Sequence, residues 1–180
     1  HFLNDILVAV DKNLGVVVLL IDLSAAFDTI NHKILFRILS NEIGIKGTAL
    51  DWFKSFLSDR SQRVSIGSSI SSSLHLKFGV PQGSVLGPVL FNLYTRSISK
   101  VFASTGFTSV GYADDNSGLC VFAHHFQYDI LMNEVPDCLS RLKSWMGLHF
   151  LKLNESKTKI IVFGNNSFLK SNLTIHGTFL

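Results

Sequence analysis

Gly15-Val-Val-Val-Leu-Leu-Ile21, followed at once by Asp22, is the stretch on which the fold turns. The run is short and rich in β-branched residues, with no alternation of apolar and polar positions, so it predicts a strand covered on both faces. Its end is abrupt: a carboxylate sits on the lip of a buried strand. Upstream, Leu3, Ile6, Leu7 and Val10 recur at helical spacing, and Asn13 and Gly15 break that helix before the strand begins. Far downstream, Phe107 to Tyr112 and Ser117 to Phe122 read as apolar strands flanking Ala113-Asp-Asp-Asn116, where Asp and Asn favour a tight hairpin. Phe150 to Leu153 and Ile160 to Phe163 read as further strands around the polar stretch Asn154 to Lys159.

The segments between are helical or turn-forming. Ile30, Ile34, Leu35, Ile38 and Leu39 have helical spacing closed by Gly44, and a second helix is predicted over Thr48 to Leu57 with Leu50, Phe53 and Leu57 turned inward. Gln62 to Ile66 and Leu74 to Phe78 predict two strands joined by a Ser-rich, solvated loop, Gly67 to Ser73. Gly79-Val-Pro-Gln-Gly-Ser84 is turn-forming, and a helix should run from about Pro88 to Ile98 with the proline in its first turn. Leu131, Val135, Leu139, Leu142 and Met146 mark a long helix that Pro136 must kink or delay. There is no internal repeat and no interdomain linker. The order of elements predicts an α+β class, an antiparallel sheet with helices packed on one face.

Composition narrows the class without naming a function. Hydrophobic residues make up 47% of 180, including fifteen Phe, which is ample for a packed core and excludes whole-chain disorder. A net charge of +3 agrees with a nucleic-acid partner and equally with many enzymes. Cys120 and Cys138 do not make a disulfide framework, and with His124 and His125 they fit no paired zinc-ligand spacing. His1 to Val10 lacks the basic start and cleavage site of a secretory leader. The uncharged stretch between Lys77 and Arg96 is interrupted by Pro81, Gln82, Pro88 and Asn92, so no membrane span is expected. An intracellular protein, in cytoplasm or nucleus, is the expectation.

The chemistry concentrates in carboxylates. Asp22 at a strand end and Asp114 and Asp115 at a hairpin tip could meet across neighbouring strands. Carboxylates on a rigid floor can hold two hard cations about 3.5–4 Å apart for an in-line phosphoryl displacement. Taken alone, an Asp pair at a turn is usually a solvated tip, and an Asp after a strand is usually a cap or surface charge. Adjacent strand residues point opposite ways, so Asp115 joins Asp22 and Asp114 only if the turn redirects it.

Three strings change the balance. Leu20-Ile-Asp-Leu-Ser-Ala-Ala-Phe-Asp28 resembles the first palm motif of reverse transcriptases, Gly79-Val-Pro-Gln-Gly-Ser-Val-Leu-Gly-Pro88 the second, and Tyr112-Ala-Asp-Asp115 the YxDD box. They occur in the family's order. The flanks, among them Asp28-Thr-Ile-Asn-His32, Arg60-x-Gln62-x-Val64 and Leu153-Asn-x-x-Lys-Thr158, most resemble reverse transcriptases of non-LTR (LINE-type) retrotransposons. The resemblance covers about His1 to Gly164. It implies a polymerase palm with partial fingers elements, and Asp22, Asp114 and Asp115 as ligands of two Mg²⁺ ions, with Mn²⁺ as a possible substitute. It implies Phe27 as a steric gate beneath the sugar, Gln82 and Gly83 lining the nucleotide pocket, and Tyr112 near the primer end. It implies Lys157 as proton donor to the departing pyrophosphate, and Arg60 and Arg63 as contacts to template phosphates. The partners implied are an RNA template, a DNA primer and deoxynucleoside triphosphates.

The resemblance thins at the ends. Basic residues of an upstream fingers region and a downstream helical thumb find no counterpart, although Ile175-His-Gly-Thr-Phe-Leu180 approaches the primer-gripping region. Residues 1–180 are therefore expected to be a single domain fragment, a palm with part of the fingers. Two rival readings remain. One is a catalytically silent retroelement remnant that at most binds nucleic acid or acts as a scaffold. The other is a different palm polymerase, a group II intron reverse transcriptase or a viral RNA-dependent RNA polymerase. Ala113 before the Asp pair and the bulky Phe27 argue against the viral enzyme.

Overall fold

The computed structural model describes residues 2–112 and 115–163, apart from the side chains of Tyr112 and Asp115. Asp114 and the stretch Ile175 to Leu180 therefore lie outside the described residues. In chain order, helix α1 (Phe2–Asp11) leads into strand β1 (Gly15–Ile21) and the short β2 (Leu23–Ser24). Helix α2 (His32–Arg37) starts where the Asn31 side chain accepts the Ile34 N–H at 3.2 Å, and it widens into a π-helix at Ile38–Ile43. Helix α3 (Gly47–Leu57) buries Leu57, whereas Leu50 and Phe53 are only half-buried.

The expected pair of strands beyond α3 is more broken than its sequence suggests. β3 (Ser61–Gln62), β4 (Ser65–Ile66), β5 (Ser69–Ile70) and β6 (Leu74–His75) pair as β3 with β6 and β4 with β5, all exposed. Part of the Ser-rich stretch read as a loop is thus strand. Its serines take part: Ser71 donates its N–H to the Val64 carbonyl at 2.9 Å, and its hydroxyl accepts the Val64 N–H at 3.0 Å. Helix α4 (Leu86–Thr95) begins before Pro88 and stops short of Ile98, where α5 (Ile98–Ala103) starts anew. The Thr95 hydroxyl donates back to the Phe91 carbonyl at 3.0 Å, competing with the next helical bond.

Strands β7 (Thr108–Tyr112) and β8 (Asp115–Phe122) form the predicted hairpin. A 3₁₀ turn (His124–Phe126), the single turn α6 (Gln127–Asp129) and a π-helix (Ile130–Glu134) then precede α7 (Val135–Leu148). Pro136 sits at the N-terminus of α7, so the proline delays the regular helix. β9 (Lys152–Leu153) and β10 (Lys159–Phe163) end the described chain.

The chain forms two compact units, His1–Ser24 with Arg96–Leu180, and Ala25–Thr95. In the first, the sheet order is β10-β1-β8-β7, antiparallel throughout. Val18 lies opposite Leu119 and Ile161, and with Val16 these residues pack on Ile6 and Ala9 of α1. Leu19 lies opposite Gly118 on the other face, where a Cβ on Gly118 would come within 2.4 Å of the buried Phe102 ring of α5. One expectation is corrected here: helices cover both faces of this sheet, not one. The cause lies in β1 itself, whose apolar side chains alternate to both sides and must all leave water, each for about 1.5–3 kcal/mol.

The second unit is built on Ile30, Leu35, Leu39, Leu57, Leu90, Phe91 and Tyr94, all buried. The Tyr94 hydroxyl accepts the Asn31 N–H at 3.4 Å, and burial holds its phenol pKa above the ordinary value. No helix among the described residues is long and apolar enough to cross a membrane.

Candidate active site

Asp22 stands where the chain leaves one sheet for another. The last pair between β1 and β8 is Ile21 with Asn116, so Asp22 and Asp115 are the next residues along the two strands. On the other side β1 pairs with β10 only as far as Leu20 with Lys159. Beyond Ile21 the ladder is replaced by the turn 154–158. Asn154 donates its N–H to the Asp22 carbonyl at 2.9 Å, extending the pairing of β2 with β9. The Thr158 hydroxyl donates to the Asn154 carbonyl at 2.8 Å and accepts the Asp22 N–H at a longer 3.5 Å. Asp22 is half-buried, Thr158 buried and Lys157 exposed. Tyr112 ends β7 opposite Asp115. Among the described residues no three His, Cys, Asp or Glu side chains gather into a metal-holding group, and Asp114 is outside that set.

In the second unit, Gly79 is the fixed point. It donates its N–H to the Ile30 carbonyl at 2.9 Å, and Val80 donates to the Phe27 carbonyl at 2.9 Å. Its φ is 82°, and a Cβ there would come within 2.9 Å of the Asp28 main chain, so two independent constraints require glycine. The Gly79 carbonyl accepts from an Arg60 guanidinium N–H at 2.9 Å and lies 2.8 Å from His32 Nε2. The following turn, Pro81 to Ser84, closes through the Ser84 N–H and hydroxyl, both donating to the Pro81 carbonyl at 3.3 and 2.7 Å. Gly83 occupies its third position with φ of 78°, a region costly for L side chains.

Two clefts flank this loop. One, of about 310 Å³, is lined by Phe27, Gln82, Gly83, Ser84, Val85 and Pro88 among others. The Phe27 ring is half-buried and packs on Phe91 with centroids 5.0 Å apart. The other cleft, of about 590 Å³, is lined by Asp28, Arg60, Gln62, Phe78 and Gln82 among others. The Gln82 amide donates to the Asp28 carboxylate at 2.9 Å, which fixes the side chain shared by both clefts.

A model of the reverse transcriptase (RNA-dependent DNA polymerase) family matches residues 4–175. The chain belongs to that family. Its relatives are polymerases of non-LTR retrotransposons. It is 30% identical over 152 residues to the probable RNA-directed DNA polymerase from transposon X-element of Drosophila melanogaster, covering 81% of this chain and 16% of that protein. It is 26% identical over 166 residues to the RNA-directed DNA polymerase from mobile element jockey of Drosophila funebris, covering 89% of this chain and 18% of that one. The chain thus spans under a fifth of these relatives' length. Among solved structures, apo telomerase from Candida tropicalis truncated from its C-terminal domain superposes with a TM-score of 0.65 at 20% identity, over 92% of this chain and 34% of that one. At that identity the likeness is one of fold.

Of the residues expected to form a reverse-transcriptase site, the structure brings Phe27, Gln82 and Gly83 to one cleft and Arg60 to the other. Asp22 and Asp115 each follow the last β1–β8 pair, and the main chain of Asp22 is bonded to Asn154 and Thr158 at the two ends of the turn that carries Lys157. Arg63 is exposed on the 61–75 hairpin and lines neither cleft. Sequence reading missed the parts played by Asp28, His32, Asn154 and Thr158. All four lie within the flanking strings that carried the resemblance, but polar residues in loops give no periodic signal of what they hold.

Proposed function

We propose that this chain is the catalytic palm of a retrotransposon RNA-directed DNA polymerase, which joins deoxynucleotides to a primer 3′-OH on an RNA template. The observation that supports the reading is the β1–β8 register, whose last pair, Ile21 with Asn116, leaves Asp22 and Asp115 as the next residues of the two strands in a chain of this family. The donor set fits divalent cations: hard carboxylate oxygens held at the ends of paired strands suit Mg²⁺ or Mn²⁺. Asp22, Asp114 and Asp115 would hold two such ions. When bound, these would lower the pKa of the attacking hydroxyl and neutralise charge on the phosphates.

The chain's own residues supply position and discrimination. Phe27, braced by Phe91, walls the smaller cleft and would clash with a 2′-OH. Gly83 keeps that cleft's floor free of a side chain, and Gln82, held by Asp28, presents its amide there. Arg60 spends one N–H on the Gly79 carbonyl and keeps others for a template phosphate, a role Arg63 would share from its exposed position between β3 and β4. Tyr112 would pack near the primer end. Lys157, exposed on its turn, would give a proton to the leaving pyrophosphate.

The test is primer extension by the X-element polymerase with its matching segment replaced by this chain. The chimera should extend a DNA primer on RNA, and Asp114→Asn with Asp115→Asn should slow it by about 10²–10³-fold or more. Normal extension by the double variant would sink the reading. A folded chimera that extends nothing would favour the silent remnant.

A further inference from the structure

Asp22 is the residue at which sheet pairing gives way to loop contacts, and its main chain is held on both polar groups by a single turn. The Asp22 carbonyl accepts the Asn154 N–H at 2.9 Å, the Asn154 carbonyl accepts the Thr158 hydroxyl at 2.8 Å, and the Thr158 oxygen accepts the Asp22 N–H at 3.5 Å. These contacts form a closed ring. The turn between its two anchors carries Lys157, whose N–H donates to the same Asn154 carbonyl at 3.2 Å. Thr158 is buried, so its hydroxyl has these groups rather than bulk water as partners.

We propose that Thr158 is a positioning residue: main-chain bonds from Lys157 and Thr158 to the Asn154 carbonyl already close the turn, and the Thr158 hydroxyl ties it to the Asp22 N–H, so that the carboxylate is held ready for a divalent cation. The inference rests on the polymerase reading, in which Asp22 is a metal ligand. Its physical basis is general. A ligand's affinity for a metal depends on the groups that orient it, and losing one such outer partner weakens binding by about 10–100-fold. Here the outer partner acts through the backbone. The side chain of Asp22 can keep a fixed direction only if φ and ψ at the strand end are fixed, and the pairing of β1 with β8 and β10 ends before Asp22. Valine at position 158 would keep the shape and remove both hydroxyl bonds. Serine would keep the bonds.

The experiment titrates Mn²⁺ into the 180-residue chain and follows the free ion by electron paramagnetic resonance. Wild type should bind Mn²⁺ in a manner that Asp22→Asn abolishes. Thr158→Val and Thr158→Ala should each weaken that binding by about tenfold, while Thr158→Ser stays within about twofold of wild type. Thermal melts of every variant accompany the titrations, and if valine unfolds the chain the alanine variant carries the comparison. A purely structural threonine would lower the melting temperature and leave Mn²⁺ affinity unchanged, and that result overturns the proposal. Absence of Asp22-dependent Mn²⁺ binding in wild type overturns the metal-site reading beneath it, a failure distinct from the first.

Discussion

Phe150 shows how much a single residue can depart from its local preference. It follows the end of α7 with φ of 54°, at the position where helices commonly place glycine. Leu151 donates its N–H to the Met146 carbonyl at 2.9 Å and Phe150 donates to Gly147 at 3.3 Å, the paired bonds of a Schellman cap. A left-handed L-residue costs about 1–2 kcal/mol, and glycine would give back about 0.5–1 of that through its flexibility. Phe150 is 61% exposed, so little packing is lost on removing the ring. Phe150→Gly should therefore raise stability by roughly 0.5–1 kcal/mol, read as a higher urea midpoint; a lower midpoint would mean the ring is packed more than its exposure implies. Phe27 makes the functional counterpart. Phe27→Ala should raise ribonucleotide incorporation relative to deoxynucleotide in the chimera, and unchanged discrimination would remove it from the gate.

At the scale of elements, β8 and α7 each carry a buried thiol. Cys120 and Cys138 are buried, and burial pushes both thiols above their ordinary value near 9. For Cys138 a Thr105 hydrogen bond opposes that shift, and the neighbouring Asp137 and Cys120 charges add to it. The folded state then holds the proton more tightly than the unfolded state. Stability from this source is complete below the unfolded pKa and is lost as pH rises through the folded one. The thermal midpoint should fall as pH rises above the ordinary thiol value near 9, and that of Cys138→Ala should fall less steeply over the same range. Equal slopes would show that the thiol is not burdened by burial. The element scale is also where sequence periodicity served best. β1 was legible because an unbroken apolar run has one stable outcome, burial on two faces. The helix expected from Pro88 to Ile98 instead begins at Leu86 and ends at Thr95, a boundary that leaves no trace in apolar spacing.

For the whole molecule, a net charge of +3 sets a modest expectation for nucleic-acid binding. Binding of single-stranded RNA, measured by fluorescence anisotropy, should weaken with added KCl, with a log–log slope of about −0.7 for each phosphate contacted. Arg60→Gln and Arg63→Gln should each reduce that slope by about one contact. A slope unaffected by either change would leave both arginines without a phosphate. Arg63 is the more direct probe, because Arg60 also supports the Gly79 carbonyl and its loss would disturb the loop.

The sequence by itself determined the family, the α+β class and which residues could carry chemistry, because order of motifs and hydrophobic period are properties of the chain alone. Tertiary structure decided how those residues are held. Only pairing register could show that β1 and β8 end their ladder at Ile21 with Asn116, one residue short of Asp22 and Asp115, since neighbours across strands are far apart in sequence. Only packing could reveal that α1 and α5 are the helices that cover the two faces of the sheet, that Gly79 is wedged against Asp28, and that a buried threonine closes a ring on Asp22. Such contacts depend on directions in space that a polar residue in a loop does not announce.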